Sequence, residues 1–110
     1  MNLLIQGTNA FNDYNVFMRA MAVALSDTKS ELKITSIGGY RINQMVREFV
    51  NVSENGLRSR GVSIRLRLEP PTIPLDGFDK MFYFCNNGDK LSRAKNSVKT
   101  ETSWSSDTDT

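Results

Sequence analysis

Short apolar runs that end at glycine, each handing over to a stretch of helical periodicity, constrain this chain more than any other feature. The first passage, LLIQGTNAFNDY, runs from Leu3 to Tyr14, and the second, KITSIGGYRIN, from Lys33 to Asn43. An apolar run too short for a helix and closed by glycine reads as a buried strand. A strand that turns directly into a helix belongs to a layered α/β arrangement. Such a turn also leaves backbone N–H groups without intrahelical partners, at the end where the peptide dipoles favour an anion.

The remaining segments continue the alternation. Asn2 to Gln6 is the first strand, and Asn12 or Asp13 supplies the N-cap of a helix over Tyr14 to Leu25. Leu32 to Ile37 alternates apolar and polar residues and stops at Gly38-Gly39. Ile42, Met45, Val46 and Phe49 then mark one face of a second helix. Asn51, Ser53 and Asn55 interrupt that face, so the helix is expected to fray before Gly56 and resume through Leu57 to Arg60, with Gly61 as its C′ residue. Val62 to Leu68 alternates strictly, with Ser63, Arg65 and Arg67 on one side, as a half-exposed strand near a sheet edge does.

Pro70, Pro71 and Pro74 impose a loop before the aromatic strand Phe78 to Cys85. Asn86-Asn87-Gly88 forms a turn, and Asp89 caps a last helix through Lys99. The acidic stretch TETSWSSDTDT has no periodicity and reads as a disordered tail, in which Trp104 either packs back or anchors a partner. The expectation is an α/β fold of three layers, a four-stranded, mostly parallel sheet with helices on both faces, in one domain over residues 1–99 with a tail over 100–110.

Ligands of open α/β sheets lie beyond the carboxyl ends of the strands, where the strand order reverses. Gly7 to Asn12, Gly38 to Asn43 and the turn at Asn87 and Gly88 all fall at such ends. The candidate ligand-binding set is therefore Gly7, Thr8, Asn9, Phe11, Asn12, Tyr14, Gly38, Gly39, Tyr40, Arg41, Asn43, Asn87 and Gly88. Backbone N–H groups would hold phosphate, Arg41 would add charge, and Tyr14 or Tyr40 would stack on a base. Each residue also has an ordinary structural role: the glycines permit tight turns, Asp13 caps a helix, and Tyr14 belongs to the core.

Composition narrows the chemistry. The chain of 110 residues has no histidine and a single cysteine, Cys85, set in the apolar run MFYFC. The usual zinc sites and Ser–His or Cys–His nucleophile pairs are excluded, and Cys85 reads as a buried thiol rather than a redox centre. No cofactor, metal or catalytic set is indicated, because no spacing brings two carboxylates together. Six Arg against two Glu between Gly38 and Leu68 make a basic middle, although the net charge is only +2. Without aromatic residues among those arginines, nucleic acid is not the expected partner. No segment approaches the roughly 18 apolar residues that cross a bilayer, and the N-terminus has no signal-peptide pattern, so a cytoplasmic protein is expected.

The turn GTNAFNDY resembles the first strand–helix turn of the SLOG superfamily, the Rossmann-like group that includes the DNA-processing protein A and LONELY GUY families. Small members from phage and bacterial genomes read Gly-x-Arg-x-Phe-x-Asp-Tyr there; Gly7, Phe11, Asp13 and Tyr14 match, and Asn9 stands at the Arg position. Gly38-Gly39 is similar to the second turn of that group, with Ile37 in place of Ser, Tyr40 in place of Ala and Asn43 near an Asp position. The likeness extends from Leu3 to about Ala94. It implies binding of a nucleotide-derived ligand. GGYRINQM lacks the second Gly-Thr pair and the downstream Glu of the LONELY GUY phosphate turn, and the fifth strand of the group is expected to be absent, replaced by the acidic tail, so the resemblance implies a trimmed, phage-encoded member that binds without catalysing, in host cytoplasm. The alternative expectation is an interaction protein that modulates a host macromolecule or forms a homo-oligomer, with its ligand crevice vestigial.

Overall fold

The apolar runs that close at Gly7 and before Gly38 become strands, and every described strand runs in the same direction. The computed structural model describes residues 1–74, 76–86 and 100–106. Its elements are β1 (Asn2–Gly7), α1 (Tyr14–Ser26), β2 (Glu31–Ser36), α2 (Tyr40–Ser59), β3 (Ser63–Leu68), β4 (Lys80–Asn86) and β5 (Thr100–Ser106). The five strands form one parallel sheet in the order β3-β2-β1-β4-β5. The α/β class and a Rossmann-like parallel sheet follow, with five strands in place of the expected four and, among the described residues, helices on one face only.

β1 and β4 hold the centre because both are apolar on both faces. Leu3, Leu4, Ile5 and the run Met81 to Cys85 are all buried. On the first face, Leu3, Ile5, Leu32, Ile34, Phe82 and Phe84 join both helices in one core. Phe17 of α1 is its hub, with ring centroids 5.2 Å from Phe84 and 6.3 Å from Phe49 of α2. Edge-on and tilted aromatic pairs of this kind add about 0.5–1.5 kcal/mol each beyond their buried area. Both helices lie on this face because β1-α1-β2 and β2-α2-β3 step the same way across the sheet, and parallel crossovers are right-handed.

The second face carries Leu4, Ile37, Met81, Tyr83 and Cys85, packed against Ile73 and Phe78 from the β3–β4 connection. Cys85 is a free, buried thiol. The helix expected over Asp89 to Lys99 lies outside the described residues. Prolines at 70, 71 and 74 make the β3–β4 connection a loop, so among the described residues no helix covers the second face over β2 and β3.

Two expectations are corrected. Thr100 to Ser106, read as a disordered tail, is a strand that pairs with β4 along its whole length. An edge strand draws its stability from the backbone ladder and a few inward residues. Here Trp104 stacks edge-on against Phe82 at 5.4 Å, while residues 101, 103 and 105 face solvent. The ordered sheet therefore extends past residue 99, and Trp104 packs back on the core. Helix α2, expected to break before Gly56, is continuous to Ser59. Its mid-helix asparagines fall on solvent-facing positions, where the buried stripe of Ile42, Met45, Val46 and Phe49 outweighs their weak propensity. Gly61, at φ +81°, ends the helix as a C′ glycine. Among the described residues no helix is long and apolar enough to cross a membrane.

Candidate ligand site at the carboxyl ends of the strands

The chain leaves β1 towards β2 but leaves β4 towards β5, so the strand order reverses between β1 and β4. The turn after β1 is built around this junction. A Cβ at Gly7 would overlap the carbonyl oxygen of Phe84, which is why the two strands can close only over glycine. The Thr8 N–H extends the ladder by donating to that oxygen at 2.9 Å, and the Phe11 N–H donates to Thr8 O at 3.2 Å. Asn86 Nδ2, at the end of β4, donates to Ala10 O at 3.0 Å and ties the two strand ends together.

Phe11 turns inward: it is fully buried, with its ring 5.2 Å from that of Phe84. Tyr14 is half-buried and stacks on Phe17 at 5.9 Å. Burial pushes its phenol pKa up, and the nearby Glu48 carboxylate adds to the rise. Both aromatics of the first turn therefore serve the core, whereas Asn9 and Asn12 remain exposed.

Asp13 fills the N-terminus of α1. Its Oδ1 accepts from the Val16 N–H at 3.1 Å, and its Oδ2 accepts from the Ser106 hydroxyl at 2.9 Å. The Val16 N–H, and after it the Ser106 hydroxyl, hold this carboxyl below its ordinary range. An internal anion thus occupies the end of the α1 dipole. Ser106 gave no signal in the sequence, because the partner lies 93 residues from Asp13 and sits in a stretch read as tail.

The second turn is arranged oppositely. Gly39 is the N-cap of α2, with no side chain to satisfy the first N–H groups of a 20-residue helix. Asn9 from the first turn reaches across to Gly39, where its Oδ1 stands in the place a Cβ would take. Gly38 abuts Ile42, whose Cβ would lie 2.6 Å from an added methyl. Asn43 is held by the Ser36 hydroxyl, which donates to its Oδ1 at 2.7 Å. Tyr40 is 76% exposed, its hydroxyl accepting from Gln44 Nε2 at 2.8 Å, and Arg41 is exposed beside it. Gly7, Thr8, Asn9, Gly38, Gly39, Tyr40 and Arg41 are thus gathered at one end of the sheet. Asn87 and Gly88 lie outside the described residues.

A separate concavity lies elsewhere. A groove of about 910 Å³ lies on the second face, floored by Lys33, Thr35, Arg65 and Arg67 and walled by residues 73–74 and 76–78 of the β3–β4 loop. The sequence showed the arginine alternation and the proline-rich loop, but not that the loop walls the arginine face. Comparison with known protein families, curated proteins and solved structures finds no match to the chain.

Proposed function

We propose that the protein binds a nucleotide or nucleotide-derived ligand at the carboxyl ends of its strands, without catalysing its conversion. The observation that carries this reading is the N-terminus of α2, which begins at a bare glycine beside the strand-order reversal. The N–H groups of the first turn, which the glycine has no side chain to satisfy, suit a phosphate together with the positive end of the helix dipole. Arg41 supplies a guanidinium for charge-assisted hydrogen bonds, and the exposed Tyr40 ring offers a stacking surface. The resemblance of both turns to the SLOG superfamily supports the same ligand class, a phage origin and a place in host cytoplasm.

A thermal-shift series with nucleoside mono-, di- and triphosphates tests the proposal. Ligand at 100 times its Kd stabilises the folded state by about 2.7 kcal/mol, which for a domain of this size raises Tm by about 10 °C or more. Amide chemical-shift changes should centre on Tyr40, Arg41 and Ile42. A folded protein that no nucleotide stabilises, or shift changes that bypass α2, would refute it.

A further inference from the structure

The open half of the second sheet face raises a separate question from the Gly39 turn. β3 pairs only with β2 among the described residues, so one backbone edge of the sheet ends there. The N–H groups of Ser63 and Glu69 point inward, to Ser30 O and Ser36 O, each at 2.9 Å. Since N–H direction alternates along a strand, those of Ile64, Leu66 and Leu68 point outward. On the second face, Arg65 lies beside Lys33 and Arg67 beside Thr35 in the β2–β3 register. Each arginine is already paired, Arg65 Nε with Glu31 at 3.2 Å and Arg67 with Glu69 at 2.9 Å. The guanidinium side chains are 74% and 71% exposed while those carboxylates are 34% and 25% exposed. Lys33 also pairs with Glu31, at 3.7 Å, and the groove lining carries Lys33, Arg65 and Arg67 against the one carboxylate of Asp76. The lining that a partner meets therefore has an excess of cations, and surface pairs worth about 0–1 kcal/mol exchange readily for new ones.

We infer that this edge and groove form a docking surface for an extended acidic segment of another protein, added to β3 as a sixth strand. The outward N–H and C=O groups repeat at peptide spacing, which a sugar–phosphate chain cannot match but a peptide backbone can. Alternate side chains of the incoming strand would face Arg65 and Arg67, and their carboxylates would reach the groove floored by Lys33 and Thr35. The others would lie over Leu68, an apolar side chain 38% exposed at the end of the edge. Arginine on an edge strand also repels a like edge, because antiparallel pairing with β3 of a second copy sets arginine against arginine. Such an edge rejects its own kind and admits a strand of opposite charge.

A fluorescein-labelled heptapeptide of alternating valine and glutamate is the probe, titrated by anisotropy against the full chain. Binding should perturb the amides of Ile64, Leu66 and Leu68 and leave those of Tyr40 to Ile42 unchanged, which separates this outcome from the nucleotide reading. The R65E/R67E variant, folded by circular dichroism, should bind at least tenfold more weakly. A peptide N-methylated at alternate amides should lose binding to the same degree. Failure of the probe to bind overturns the proposal, as does equal binding of the N-methylated peptide. So does a single-stranded oligonucleotide that displaces the probe from these residues, or self-association of the free chain that buries the β3 edge.

Discussion

The two helix N-termini stand at the same end of one sheet and are finished in opposite ways. α1 starts at Asp13, whose carboxylate satisfies the Val16 N–H and is itself fixed by Ser106. α2 starts at Gly39 and carries no side-chain cap. The first is a closed structural joint linking the turn after β1 to the last described residue of β5. The second takes no cap from its own N-cap residue and has the Asn9 Oδ1 beside it instead. Sequence spacing makes the two turns look equivalent; the cap chemistry sets them apart.

The strongest challenge to this contrast is Gly7→Ala, since both turns depend on the close approach of β1 and β4. The added Cβ meets a backbone oxygen that cannot swing aside, and the Phe84 Cβ and Ile42 Cδ1 lie 3.1 and 3.2 Å away. A loss of about 3 kcal/mol is expected in urea unfolding, at the upper end of overpacking costs. Asp13→Ala should cost about 1 kcal/mol by the same measurement, with fraying of α1 visible in amide exchange.

Asp13→Asn isolates the charge. Asparagine caps nearly as well, so stability near neutral pH should change little. Because the folded carboxyl sits below its ordinary range, its contribution is complete above the unfolded pKa and fades as pH falls through the folded value. Wild-type stability should therefore decline below about pH 4 with a component that the Asn variant lacks, as read from Tm against pH. The smallest stability effect belongs to Gly39→Asp in an Asn9→Ala background, where removing the Asn9 amide makes room for the new side chain. It should gain a few tenths of a kcal/mol by capping α2. In the nucleotide thermal-shift series it should abolish stabilisation by converting the second terminus into a copy of the first.

Much of this architecture was legible because periodicity reports burial. The apolar runs of β1 and β4 read as buried strands, and the alternating β3 read as lying near an edge. Asp13 and Gly61 marked helix ends through chemistry that acts within a few residues. β5 was illegible because hydrogen bonds to β4 hold it, and those bonds need no apolar side chains. The candidate site was legible as turns but not as geometry. Nothing local reveals that Phe11 faces the core, that Asn9 bridges to Gly39, or that Ser106 occupies the second oxygen of Asp13. Those facts depend on which strands become neighbours.

The central position of β1 has a consequence for how the chain comes together during synthesis. One side of β1 is matched early, when β2 follows it through α1, but the other waits for β4, whose Lys80 pairs with Leu3. Until that distant strand emerges from the ribosome, Leu4 has no cover from Met81 and Tyr83, and the apolar middle of the nascent sheet keeps an unpaired edge. β1 is thus made before the other described strands yet completed only when β4 arrives.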